Sequence, residues 1–176
     1  MFFSVKSDYT LNGLLIYFHI NNGGEIMTKG EKAEALFLEG YNCAQAVSAA
    51  FCDEAGVSKE TMVKMASGFG GGFGRLREVC GAVSGMVLVA NMLYGYESPT
   101  DNDAKMNWYK DIQSIILEFK ERNGSYVCHE LLNLPENAEK SPVPEKRTAE
   151  YYKKRPCKEI VGEAADILEK FIAEHK

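Results

Sequence analysis

The sequence predicts an all-α fold, a single-domain helical bundle. Three observations carry this expectation. Apolar residues recur at helical rather than alternating spacing along most of the chain. Residues suited to helix N-caps stand directly before several of these stretches. Strand-like alternation is scarce.

The elements follow in order. TKGEKAEALFLEGY (28–41) reads as a short helix ended at Gly40. Asn42 stands as N-cap of CAQAVSAAFCDEAG (43–56), with Ala44, Val47, Ala50 and Phe51 on one face. Ser58 caps KETMVKMASG (59–68), and a glycine-saturated stretch, SGFGGGFGR (67–75), comes next. GAVSGMVLVANMLYG (81–95) is apolar almost all round, so it is expected to be the central buried helix.

Thr100 is expected to cap a long helix whose first turn holds Asp101 and Asp103, where the helix dipole favours acids. Tyr109, Ile112, Ile116 and Phe119 would form its buried stripe and Gly124 its end. SYVCHELLNL (125–134) reads as another short helix. PENAEKSPVPEK (135–146) holds three of the five prolines and reads as a surface loop. TAEYYKK (148–154) makes about two turns. CKEIVGEAADILEKFIAEH (157–175) is the closing amphipathic helix, with Glu163, Asp166 and Glu169 on its solvated face. Trp108, Tyr151 and Tyr152 are expected in the core or at its rim.

At 176 residues the chain is long enough for one domain with a substantial core. Its 45% hydrophobic and 26% charged residues are those of an ordinary globular protein. A net charge of −5 argues against a nucleic-acid partner. No apolar run approaches the ~20 residues of a membrane helix, and a cytoplasmic location is expected. Residues 1–26 read as a leader or extension. LLIYFHI has only Lys6 upstream as a positive side chain and no small-residue cleavage site after it, so it is not a secretory signal. Gly-Gly-Glu before Met27 can be encoded by a purine-rich tract resembling a ribosome-binding site. Met27 is therefore the expected start, and residues 27–176 the domain.

The five cysteines carry the functional signal. An odd number without a secretory signal is not a disulfide framework. Cys43, Cys80, Cys128 and Cys157 each fall in the first turn of an expected helix; Cys52 lies late in its helix. Helix N-termini stabilise thiolate over thiol. Four thiolates repel unless a cation holds them, so four such starts aimed at one point suit a metal centre. Cysteine is also a common small core hydrophobe, and Cys52 reads that way. Gly68, Gly70, Gly71, Gly72 and Gly74 would let backbone N–H groups approach sulfur closely. Arg75, at the end of that loop, is placed to offset an anionic cluster. His129 adjoins Cys128 but is turned by about 100° on a helix, which makes it a surface residue.

GYNCAQAV, ASGFGGGFGR, CGAVSG, CHELL and CKEIVGEAADIL together resemble a bacterial and archaeal family named for redox activity and for its cysteine pattern, C_GCAxxG_C_C. The resemblance covers residues 29–171. Cys43, Cys80, Cys128 and Cys157 match the four family cysteines; Gly81, Ala82 and Gly85 complete the Cys-Gly-Ala-x-x-Gly motif; Cys52 has no counterpart. The family is related to a domain of split-Soret cytochromes, where an iron–sulfur centre accompanies haem. This chain has no Cys-x-x-Cys-His for covalent haem.

The resulting expectation is an electron-transfer or redox-sensing protein holding an iron–sulfur cluster, [2Fe–2S], on Cys43, Cys80, Cys128 and Cys157, with Gly71, Gly72, Arg75 and Gly81 around it. A structural zinc site on the same four cysteines is the lesser alternative, because zinc ligands usually come as close pairs in sequence. A metal-free thiol–disulfide protein is the third. A redox partner protein is expected; the basic KKRPCKE (153–159) reads first as a solvated turn and second as a patch that steers an acidic partner. Homodimer formation and enzymatic activity are left open by the sequence.

Overall fold

The computed structural model describes residues 7–11, 14–18, 27–138 and 140–175. Strands β1 (Ser7–Leu11) and β2 (Leu14–Phe18) pair antiparallel, with Ser7 opposite Phe18 and Leu11 opposite Leu14. The sequence reading assigns no strand here. Segments rich in Tyr, Thr, Ile and Phe favour a pleated backbone, and each is too short for a stable helix. The rest of residues 1–26, where the expected start at Met27 would be decided, lies outside the described residues.

From residue 27 onward the fold is all-α, with eight helices among the described residues. Helix α1 (Lys29–Leu38) starts at Thr28, which exchanges a capping box with Glu31. Helix α2 (Cys43–Ala49) starts at Asn42, which does the same with Gln45. Its chain leaves the helix after Ala49 and runs on in turns, so α2 is shorter than its apolar spacing implied and Cys52 lies outside it. Ser58 caps α3 (Lys59–Ala66). Helix α4 (Gly81–Tyr94) follows the glycine stretch.

Helix α5 (Asn102–Asn123) is capped by Asp101, which accepts a hydrogen bond from Ala104 N, rather than by Thr100. Its buried residues are Trp108, Ile115 and Phe119, whereas Tyr109 is exposed and Ile112 and Ile116 are half-buried. Trp108 donates from Nε1 to Asn91 Oδ1 on α4 at 2.8 Å. Gly124, in the left-handed region at φ 82°, ends α5 as expected. Helices α6 (Cys128–Leu131) and α7 (Ala149–Lys153) are each little more than a turn, and α8 (Cys157–Glu174) closes the domain.

The packing centre is α2 together with α8. Five of the seven α2 residues are buried, and α8 packs on α1, α2, α4 and α5. Phe37, Phe51, Met62, Met86, Phe119, Ile167 and Leu168 are fully enclosed. Each such side chain contributes about 1.5–3 kcal/mol. Helix α4 instead keeps one side half-buried, despite its apolar character. Asp166 is not merely solvated: its carboxylate accepts from Gly30 N at 3.0 Å, completing the N-terminus of α1. Glu163 likewise accepts from Asn123 at 2.9 Å and Glu169 from Lys29 N at 3.3 Å.

Two glycines set how closely α4 meets α2. A Cβ on Gly85 would stand 2.6 Å from the carbonyl oxygen of Ala44, and one on Gly81 would stand 3.2 Å from Cys43 Cβ. The obstacle at Gly85 is backbone and cannot rotate away. Gly85→Ala is expected to cost about 1–3 kcal/mol and, in a protein of this size, to lower Tm by about 2–4 °C per kcal/mol. A thermal melt unchanged within about 1 °C of the parent, a bound set by that same relation, would show that the helices do not depend on this approach.

Candidate redox centre

Each of the four family-pattern cysteines stands at a helix start. Cys43, Cys128 and Cys157 are the first residues of α2, α6 and α8, and Cys80 is the N-cap of α4. The elements that bring them together are identifiable. The Gly81 and Gly85 contacts hold the start of α4 against the start of α2, setting Cys80 beside Cys43. An antiparallel bridge between Val79 and Val127 carries the chain ahead of α4 past the chain ahead of α6. Cys80 N donates to Tyr126 O at 2.8 Å, and Cys128 N donates to Glu78 O at 2.6 Å. Helix α8 packs on both α2 and α4 and presents its first residue, Cys157, to the same point.

All four cysteines line one small inner cavity of about 20 Å³, together with Gly71, Gly81 and Ile160. Cys52 does not line it; it lies among Lys29, Lys32, Asp53 and Lys59. All five cysteines are free thiols. Cys43 donates its S–H to the sulfur of Cys157, and the charges of Cys80, Cys128 and Cys157 are felt at Cys43.

The thiols do not share one acidity. Helix starts alone would lower all four, but burial opposes this and usually wins. Burial pushes Cys80 up to about 12, against the N–H groups of Ala82 and Val83 that donate to its sulfur. Cys128 is raised by burial, against a hydrogen bond and a positive charge from Arg77. The hydrogen bond to Cys157, then burial, raises Cys43 well above the ordinary thiol range. Cys157 alone is lowered: first by the S–H of Cys43, then, against burial, by the guanidiniums of Arg155, Arg147 and Arg77.

The glycine loop closes one side. Gly71 and Gly72 have φ of 66° and 70°, the left-handed region. A Cβ on Gly72 would stand 2.8 Å from Cys128 Cβ and 2.7 Å from Glu78 N. Gly71 forms part of the cavity wall. Arg75 donates from Nε to Ser141 O at 2.8 Å, and an Nη reaches Glu145 at 3.4 Å. The arginine that meets sulfur is Arg77, only 7% exposed and held at φ 66°. Sequence reasoning missed Arg77 and Arg147, since a lone arginine near a cysteine carries no spacing signal. His129 points its Nδ1 at Arg77 O, 3.1 Å away, outside the cavity.

Of the basic cluster around Cys157, Arg155 joins the site, whereas Lys154 pairs with Glu150 and Lys158 with Glu34. Arg75, Arg77 and Arg155 all reach Oε1 of Glu145. Burial would raise the Glu145 carboxyl, but Arg155 and Arg75 hold it below its ordinary value.

The acidities predict an order of reaction in metal-free, reduced protein. Cys157 should be alkylated by iodoacetamide first, and its rate should level off at a lower pH than that of a free thiol. Arg155→Gln removes a cation and should move that midpoint upward. Peptide mapping across a pH series checks this, and preferential labelling of Cys128 or Cys80 would contradict it.

Among the described residues no helix is long and apolar enough to cross a membrane. No solved structure matches the chain. A relative in Archaeoglobus fulgidus, named "Uncharacterized protein", is 29% identical over 152 residues, covering 80% of this chain and 93% of its own. The family model described as "Putative redox-active protein (C_GCAxxG_C_C)" matches residues 41–171, which include all four clustered cysteines and the Cys80-Gly81-Ala82 motif, and the chain belongs to that family.

Proposed function

We propose that this protein is an electron-transfer or redox-sensing protein whose working centre is the four-cysteine cavity, and that the group it holds is an iron–sulfur cluster of the [2Fe–2S] type. The observation that carries this reading is the gathering of Cys43, Cys80, Cys128 and Cys157 on one cavity from four separate helix starts. The donor set suits the group: four sulfurs and no other ligand type, the usual ligation of such clusters. Among the described residues no group of three or more His, Cys, Asp or Glu is already disposed to hold a metal ion. The four thiols would therefore have to rearrange to take one.

A bound cluster supplies one-electron transfer. The chain's own groups set the surroundings. The N–H groups of Ala82 and Val83 donate to Cys80, and Arg77 donates to Cys128. Donors to sulfur and nearby cations favour the more negative, reduced state. Arg77, Arg147 and Arg155 offset thiolate charge at Cys157. Cys80 and Cys128 are buried, so two of the four donors are shielded from bulk water.

A second reading rests on the Cys43–Cys157 contact. Two thiols in hydrogen-bond contact, one of them with a lowered pKa, can form a disulfide when an oxidant accepts two electrons and two protons leave. Structural zinc is the lesser reading of the same four donors.

Purification without oxygen, followed by iron, sulfide and zinc analysis, separates the three. The cluster reading expects brown protein with about two iron and two sulfide per chain. Serine at Cys43, Cys80, Cys128 or Cys157 should abolish the colour and Cys52→Ser should leave it. Colourless, metal-free protein that loses two thiols on mild oxidation, mapped to Cys43 and Cys157, would replace it with the disulfide reading.

A further inference from the structure

Outside the inner cavity lies a wider cleft of about 290 Å³, lined by Cys43, Cys128 and Cys157 but not by Cys80. Its wall carries Arg75, Arg77, Arg147 and Arg155, with Glu145 as the only acid among the described lining residues. This concentration stands out in a chain of net charge −5. Counting Cys157 as a thiolate still leaves four cations against two anions.

The cations are also aimed. The Nη2 atoms of Arg155, Arg75 and Arg77 lie 2.5, 3.4 and 3.7 Å from one atom, Oε1 of Glu145. Arg147 is anchored by donating from Nη1 to Phe37 O and from Nη2 to Tyr41 O at 3.0 Å each, and it adds its charge to the wall. Arg77 is buried, with only 9% of its side chain exposed, and Arg155 has 15%. Guanidinium forks held this close in a partly dry cleft repel each other unless an oxyanion sits among them. One carboxylate oxygen provides that focus, and it comes from a loop carrying Pro142 and Pro144 whose side chain is itself 45% exposed. An ion pair serving only to fix a loop needs one arginine; three on one oxygen describe an anion cradle.

We propose that this cleft is a binding site for an oxyanion, free or carried as the head group of a small molecule, and that the Glu145 carboxylate stands where such an anion sits. The ligand's charged end would meet Arg75, Arg77 and Arg155, against the face that Cys43, Cys128 and Cys157 present. The arginines line the cleft whichever group the cysteines hold, and negative charge on the sulfurs would weaken the affinity without removing the donors.

Thermal melts of the full chain as purified, with inorganic phosphate or phenyl phosphate titrated at ionic strength balanced with chloride, test this. A saturable rise in Tm is expected. Glu145→Gln should tighten the apparent Kd by about fivefold, since the internal competitor is lost, and Arg155→Gln should weaken it by about tenfold. Arg75→Gln, at a more exposed position, gives the same answer if the Arg155 variant does not fold. Tighter binding of phenyl phosphate points to a head group, and equal binding of the two to the free oxyanion; both support the site. No rise beyond the chloride control, or an unchanged Kd in Glu145→Gln, overturns it. Metal content, measured on the same samples, reports separately on the redox centre.

Discussion

The approach of α4 to α2 is the constraint on which the centre depends. Gly85 lies so close to the carbonyl of Ala44 that no side chain fits between, and Gly81 meets Cys43 one turn earlier. Two helix starts are thereby held side by side with a sulfur on each. The glycine at the end of the Cys-Gly-Ala-x-x-Gly motif thus has a packing reason, one turn from the chemistry. Once α2 and α4 are set, α8 can cross both and bring Cys157 in, while the Val79–Val127 bridge ties Cys128 to the chain leading into α4. Four segments far apart in sequence converge through backbone contacts rather than through the thiols themselves.

Burial and helix polarity then compete at each sulfur, and their balance differs by position. Cys80 receives two backbone N–H groups, yet its enclosure outweighs them. Cys157 is also largely enclosed, but it has what Cys80 lacks: a thiol donor in Cys43 and three guanidiniums. A helix N-terminus contributes only part of a charge and acts within its first turn. Full cations plus a directed S–H are therefore needed to hold a thiolate in an apolar pocket. At Cys80 and Cys128, by contrast, burial favours the neutral thiol, and at Cys43 the hydrogen bond to Cys157 and then burial do so.

Much of this was legible in the sequence. The all-α class, the caps at Asn42 and Ser58 and the end of α5 at Gly124 follow from local hydrogen-bonding chemistry that needs no tertiary partner. The four cysteines stood out through a repeated local setting. What escaped was tertiary. Trp108 sits in the core as expected, but the other buried positions of α5 fall at Ile115 and Phe119 rather than Tyr109 and Ile116, with Trp108 donating to Asn91 on α4. Asp166 looked solvated until α1 arrived with an unpaired N–H at Gly30. Arg77 occupies a left-handed conformation just past the glycine loop, where a bulky residue is unexpected, so nothing local marked it as the arginine that meets Cys128. The strands at residues 7–11 and 14–18 were passed over because each shows too few residues for alternation to register.

The centre has an inside and an outside, and this asymmetry bears on how it works. Cys80 touches only the inner cavity, whereas Cys43, Cys128 and Cys157 face both the inner cavity and the cationic cleft. Any exchange of electrons, protons or ligand with the surroundings therefore has its shortest route through the cleft, past Arg77 and Arg155. Arg155 and Arg77, which lower the Cys157 thiol, also pair with Glu145, so the carboxylate and the sulfur share part of one set of positive charge. Adding negative charge at the sulfurs should loosen the hold on Glu145, and withdrawing Glu145 should favour negative charge at the sulfurs. That coupling is reciprocal by linkage. It ties the loop carrying Pro142 and Pro144, which joins α6 to α7, to the cleft through one carboxylate.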